Sequence, residues 1–194
     1  MGKYGKWIII GVIVLFIFWI FGGYNGMVSS REEVANQWGN VESAYQRRAD
    51  LIPNLVNTVK GNAEFERGTL TEVIEARAKA TSVNVDANNL SPAAISQFQQ
   101  AQEGLSGALS RLLVTVERYP ELKANQAFQN LQAQLEGTEN RINVARNRYN
   151  ESVRGYNTQI KSFPQVIVAS MFGFDEAGYF KADAGSEKAP EVQF

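Results

Sequence analysis

Apolar residues in this chain fall into two regimes. Residues 7–30 hold no charged side chain, and the run from Trp7 to Phe21 is almost continuously apolar. From residue 27 onward the apolar positions instead recur every three or four residues, the spacing of an amphipathic helix. A first set comprises Met27, Val34, Trp38, Val41 and Tyr45. A second comprises Ile52, Val56, Val59, Ala63, Leu70 and Val73, and a third Ile95, Phe98, Ala101, Leu105, Leu109, Leu112 and Val116. The fourth runs through Phe128, Leu131, Leu135, Thr138, Ile142, Ala145, Tyr149, Ser152, Tyr156, Ile160 and Phe163. A 3-4 alternation sustained this long predicts a coiled-coil-like seam, and at 1.5 Å per residue it spans roughly 54 Å. No strand pattern of any length competes with it. VIVASMF (166–172) is the one stretch open to that misreading.

Prolines and polar clusters divide these sets. Pro53 reads as the end or kink of the first helix and the first turn of the second. SVNVDANNLSP (82–92) reads as a polar loop, with Ser91 as N-cap and Pro92 at the first helical position. Tyr119-Pro120 separates the third helix from the fourth, and Phe163-Pro164 closes the fourth. Short connections between helices of similar length make antiparallel neighbours. The expected fold class is therefore all-α: an N-terminal transmembrane helix followed by an elongated antiparallel four-helix, coiled-coil-like bundle. The expected boundaries are an N-terminal flank at 1–6, a membrane span at 7–26 and the bundle at 27–163. An apolar C-terminal segment at 164–181 and a flexible tail at 182–194 follow.

About 20 helical residues cross a hydrocarbon core of about 30 Å. Trp7 at one end of the apolar run, and Trp19 and Tyr24 near the other, suit the two interfaces of a bilayer. A cleaved signal peptide is the rival reading, with Lys3 and Lys6 as its basic flank. The length of the run, the lack of an A-x-A-like site and the direct passage of FGGYNGMVSSREEV into a helical pattern favour an uncleaved anchor. Met1-Gly2 without Ser or Thr at position 6 does not read as a myristoylation signal. Lys3 and Lys6 precede the span, whereas Arg31, Glu32 and Glu33 follow it. That asymmetry favours a single pass through the cell (inner) membrane with a cytoplasmic N-terminus and an extracytoplasmic domain.

Composition narrows the chemistry. The net charge of −1 supplies no field for nucleic acid. The chain has neither cysteine nor histidine, which removes thiolate and imidazole ligands, the thiolate nucleophile and the usual general base. Carboxylates are paired at Glu32 with Glu33, Glu64 with Glu66, and Asp175 with Glu176. Each pair sits in ordinary amphipathic or turn sequence, where a solvated face explains it. No phosphate-binding loop, nucleophile motif or metal-ligand spacing occurs, so the chain is not expected to be an enzyme and no cofactor is implied.

Four stretches carry a family resemblance: YNGMVSSREEVANQWGNV (24–41), RRADLIPNLVNTVKG (47–61), FERGTLTEVIEARAKA (65–80) and YNTQIKSFPQVIVASMFGF with YF beyond it (156–180). Together they resemble the LemA family over nearly the whole chain. The resemblance implies a membrane-anchored protein with an N-terminal helix and an all-helical domain, and it implies little about biochemical role. The family pattern commonly has a histidine beside the glutamate after the VKG segment. Here GNAEFERG (61–68) has Phe65 at that place, so no histidine-based site is expected.

RRADLIPNLV (47–56) admits two readings. In one it is a tied corner: Asp50 caps a helix that begins near Ile52 or Pro53, and Arg47 or Arg48 meets the last carbonyls of the first helix or an acid such as Glu72 or Glu75. In the other, Arg47, Arg48, Asn54 and Lys60 beside Pro53 bind an anion or form an interface, with Asp50 opposing the anion. Polar Thr138 and Ser152 on the fourth seam, with Gly137 and Gly155 beside them, suit either close helix approach or contact with other copies. FPQVIVASMFGFDEAGYF (163–180), apolar nearly all round if helical, either folds back over the bundle end or leaves Phe163, Phe172 and Phe174 as a partner or membrane patch. The expected function is a membrane-anchored scaffold that self-assembles. Its expected partners are copies of itself, membrane lipid through the N-terminal helix, and another envelope protein. The alternative is a sensor binding an anionic ligand or lipid headgroup near Arg47 and Arg48.

Overall fold

A computed structural model describes residues 4–61 and 65–181 of the chain. Among these residues every regular element is a helix: α1 (Gly5–Lys60), α2 (Arg67–Ser82), α3 (Pro92–Val116), the single turn α4 (Pro120–Lys123), α5 (Gln126–Lys161) and α6 (Gln165–Phe172). The segment 182–194, read from the sequence as a tail, lies outside the described residues, as do residues 1–3 and the carboxylate of Glu64.

α1 has 56 residues, about 84 Å of unbroken helix. Its first third is apolar and exposed, with Trp7, Leu15 and Phe18 all more than 70% accessible. It is the one helix among the described residues long and apolar enough to cross a membrane. From Met27 the same helix buries a stripe through Val34, Trp38, Val41 and Tyr45, and then Ile52, Leu55 and Val59. The first two apolar sets therefore share one helix as far as Val59, and only Leu70 and Val73 belong to the next.

The break expected at Pro53 is absent. Pro53 lies inside α1 on its exposed face, and the chain turns after Lys60 instead. Asp50 is accordingly a mid-helix residue that accepts a hydrogen bond from Gln46 Nε2 (2.8 Å), and it caps nothing. The physical reason is legible in the neighbouring helix. Proline has no N–H to give the carbonyl four residues back, which leaves the oxygen of Ala49 without its helical donor. Arg77 of α2 supplies one, with Nε donating to Ala49 O at 2.8 Å.

α2 and α3 form an antiparallel hairpin against α1, and α5 runs antiparallel along α1. The start of α3 is as the sequence indicated, with Ser91 Oγ accepting from Ala94 N and Pro92 in the first turn. Asn125 caps α5, accepting from the N–H groups of Ala127 and Phe128. Two apolar cores result. The lower one joins Met27–Tyr45 of α1, Ile95 and Phe98 of α3, and Ile142–Ile160 of α5. The upper one joins Ile52–Val59 with α2, Leu105–Val116, Phe128 and Leu135. Phe65, where the resemblance points to histidine, is buried in the upper core with its ring 5.1 Å from that of Tyr119.

The fourth seam departs from the sequence reading at two positions: its last member, Phe163, lies beyond the end of α5 and is exposed, and the seam shifts after Tyr149. Val153, not Ser152, is buried after Tyr149. Ser152 is half-buried and donates to Tyr149 O (2.7 Å). A straight helix of 3.6 residues per turn drifts against a 3.5-residue repeat, and over this length the buried stripe slides by one residue. Gly137 and Gly155 face outward with open space beside them, so neither mediates a close helix approach within the chain.

The Pro53–Arg77 relation predicts coupling. Arg77→Leu is expected to destabilise the chain by about 1–2 kcal/mol, as for loss of a charged donor. The cost should shrink in a Pro53→Ala background, where the backbone N–H returns. A double-mutant cycle by chemical denaturation measures this, and strictly additive effects would refute the compensation.

Candidate functional site

The two neighbouring arginines part company. In the register Val41, Tyr45, Arg48, Ile52, Arg48 occupies an inward position, and it is only 2% exposed. Its Nη1 donates to Ser106 Oγ (2.8 Å) and Glu139 Oε2 (3.1 Å). Its Nη2 donates to Gln102 Oε1 (2.8 Å) and Gln102 O (3.2 Å). The guanidinium also lies 5.0 Å from the centre of the Tyr45 ring, a favourable cation–π position. Gln102 in turn donates to Ala80 O, which ties α2 into the same layer. Buried Thr138, one residue before Glu139, donates to Gln134 O. A polar layer drawn from α1, α2, α3 and α5 thus separates the two apolar cores. The acid that Arg48 meets is Glu139, while Glu72 pairs with Arg111.

Arg47 points the other way. It lines a shallow groove of about 780 Å³ between α1 and α5 with Asn40, Ser43, Asn140, Arg141, Val144 and Arg148. No carboxylate lines this groove. Among the described residues, Arg47, Arg141 and Arg148 make no ion pair. Asn54 and Lys60 are exposed about two and about three and a half turns beyond Arg47 along α1, the carbonyl of Asn54 accepting from Thr58. Arg47, Arg48, Asn54 and Lys60 are therefore not gathered into one site. The structure replaces that grouping with Arg47, Arg141 and Arg148, which come together only because α5 packs on α1.

A second constellation had no advance signal. After α6, Gly173 adopts a left-handed conformation (φ 70°) and the chain turns back on itself. Residues 174–181 then run extended over the lower core, not as a continued helix. Side-chain amides hold this segment. Asn157 donates to Ala177 O and accepts from Ala177 N, both at 2.9 Å. Asn150 makes the same pair of bonds with Phe180, and Gln99 with Lys181. The spacing follows from geometry. Seven helical residues rise about 10.5 Å, and three extended residues span about 10 Å. Asn150 and Asn157 therefore match Phe180 and Ala177 in antiparallel register. Gly178 fits where a Cβ would come within 2.7 Å of Pro92 Cα, and its N–H donates to Leu90 O (2.8 Å).

The segment completes the core as well. Phe180 is buried in a nest of rings, 5.4 Å from Tyr149 and 6.1 Å from Trp38. Tyr149 donates its hydroxyl to Gly178 O (3.0 Å), and burial pushes its phenol well above the usual range. The Tyr156 phenol is also raised, chiefly by burial, with Asp175 adding to the shift and Arg31 opposing it. Phe174 is buried beside Tyr24 and is not available to a partner; Phe172 is half-exposed and Phe163 is 82% exposed. The carboxylates Glu66 and Glu176 pair with Arg118 and Lys161. Among the described residues no group of three or more acids is positioned to hold a metal ion.

Comparison with known proteins adds context. The model of the LemA family matches residues 37–194. The magnetosome protein MamQ 2 of Paramagnetospirillum magneticum is 27% identical over 190 residues, covering 87% of this chain and 68% of that protein. MamQ of Magnetospirillum gryphiswaldense is 27% identical over 189 residues with the same coverage. Protein LemA of Metamycoplasma hominis is 24% identical over 170 residues, covering 88% of this chain and 74% of its own length.

Two predictions follow from these positions. Arg48→Ala strands Gln102 Oε1 in the interior and is expected to cost about 1–3 kcal/mol, whereas Arg47→Ala changes stability by less than about 0.5 kcal/mol. Urea unfolding of both variants checks the contrast, and equal losses would contradict it. Asn157→Ala and Asn150→Ala are each expected to cost about 1–3 kcal/mol and to open 173–181 to limited proteolysis. A tail that stays protected in both variants would show that the amide pairs do not hold it.

Proposed function

The chain belongs to the LemA family, and on that premise we propose that it is a membrane-anchored helical scaffold. In this reading α1 crosses the cell membrane once, with the N-terminus in the cytoplasm. The bundle stands outside, where copies assemble side by side and present their α1/α5 faces to one another or to other envelope proteins. The observation that carries the reading is the continuity of α1 from its exposed apolar third into both cores. A domain joined to its span by a loop tumbles; a domain built on the same helix is held at one height and tilt. Copies in one bilayer then meet with their faces level, which reduces the orientational freedom lost on association. Lys3 and Lys6 ahead of the apolar run support the orientation. The reading assigns no catalytic step and no cofactor.

A second reading, an anion sensor, draws support from the three arginines without a carboxylate in the α1/α5 groove. The guanidinium fork suits phosphate or carboxylate. A headgroup of the chain's own bilayer does not fit this groove. Arg47 lies 23 helical residues beyond Tyr24, about 35 Å along the axis.

Full-length protein in mild detergent and in reconstituted membranes is expected to form a discrete multimer by light scattering and cross-linking. Arg47→Glu combined with Arg141→Glu should shift it toward monomer. A parent chain that is monomeric in both settings overturns the scaffold reading. If that monomer also binds inorganic phosphate in a salt-sensitive way, lost in Arg141→Ala, the sensor takes its place.

A further inference from the structure

α6 sits at the lower end of the bundle, where α5 ends and the chain turns back toward the extended segment. It buries Val168 and Ala169 in the lower core, against which Trp19, Ile20 and Tyr24 of α1 also pack. The ring of Tyr24 meets Phe172 edge-on at 5.0 Å. α6 is therefore held level with the end of the apolar run of α1, not with the bundle proper. Its other side is bare: Met171 is 65% exposed, Ile167 and Phe172 about half, and Phe163 just before it 82%. No charged residue occurs between Lys161 and Asp175. Lys161, the charge at its near end, pairs with Glu176 at 2.7 Å.

We propose that α6 with Phe163 is a second membrane-contacting element, seated in the interfacial layer of the bilayer that α1 crosses. This rests on the reading of α1 as a membrane span. Three observations choose lipid as the occupant. The bare residues of α6 continue the exposed apolar surface of α1, which includes Phe18 and Phe21. Their level is that of Trp19 and Tyr24, residue types that favour the boundary between acyl chains and headgroups. An eight-residue helix about 12 Å long cannot span, but with one side fixed on protein and the other apolar it suits an orientation along the interface. With no charge of its own, α6 takes up its place through apolar burial and does not need anionic lipid. It also braces α1 where the helix leaves the bilayer, giving the stalk two points of membrane attachment.

The absence of cysteine allows the test in the full chain. Single substitutions Ile167→Cys and Met171→Cys, at exposed positions, are labelled with a nitroxide in protein reconstituted into phosphatidylcholine vesicles. Phe16→Cys in the apolar run and Val114→Cys on exposed α3 serve as references, with helicity by circular dichroism confirming the fold. Labels at 167 and 171 are expected to collide readily with oxygen and poorly with a water-soluble nickel chelate, as at 16 and opposite to 114. If 167 and 171 behave like 114 while 16 reports lipid, the inference fails and the span stands. Shielding of 167 and 171 from both quenchers also overturns it, by showing protein, a second copy or a partner, over α6. If 16 itself reports water, the span reading fails and takes this inference with it.

Discussion

One hydrogen bond from a side chain to the backbone organises this molecule. A proline within a helix leaves a carbonyl without a donor and tends to bend the axis. At Pro53 the missing donor is replaced from outside the helix, by Arg77 of α2 on Ala49 O. The bond keeps α1 unbroken to Lys60 and fastens the α2–α3 hairpin to it. Everything else is set along that axis: the exposed apolar third, the lower core, the polar layer and the upper core follow in order. A break at Pro53 would have parted the upper core from the stalk that carries the lower one.

Between the cores, directional chemistry does what apolar burial cannot. Leucine, isoleucine and valine stripes slide past one another at little cost, because the hydrophobic effect has no preferred direction. The Arg48 layer has direction. Its two terminal nitrogens meet Ser106, Gln102 and Glu139 in this register, and a single buried polar position is a known means of fixing register between helices. Nε of Arg48 has no partner, a residual cost that the other contacts offset. The extended segment 174–181 is held by the same logic. Asparagine amides imitate the backbone groups of an absent strand, and a helix supplies, every seventh residue, the pairing that a sheet would provide.

These features bear on function through geometry. A stalk continuous with its bundle, a locked register and a tail folded back over the lower core describe a body of fixed shape. What varies on its surface is chemistry: three arginines in the α1/α5 groove, Arg47 about 35 Å above the level of Tyr24, and bare apolar residues at the level where α1 leaves its apolar run. The first suits a level array of copies or an anion, and the second suits the bilayer itself.

Local periodicity determined much by itself. The exposed apolar third of α1, the all-helical class, the Ser91–Pro92 start of α3 and most buried positions of α5 depend on residues within one or two turns of each other, and such information is present in the chain before it folds. Even Arg48 was legible, since Val41, Tyr45, Arg48, Ile52 keeps the 3-4 register and marks it as inward. Tertiary structure alone decided the rest. Pro53 became tolerable only when Arg77, 24 residues later, reached the carbonyl of Ala49. Val153 displaced Ser152 because drift accumulates along a long straight helix. The pairing of Asn150 and Asn157 with Phe180 and Ala177, and the meeting of Arg47 with Arg141 and Arg148, join residues far apart in the chain. No local pattern encodes such pairs, because their energy exists only after the helices have packed.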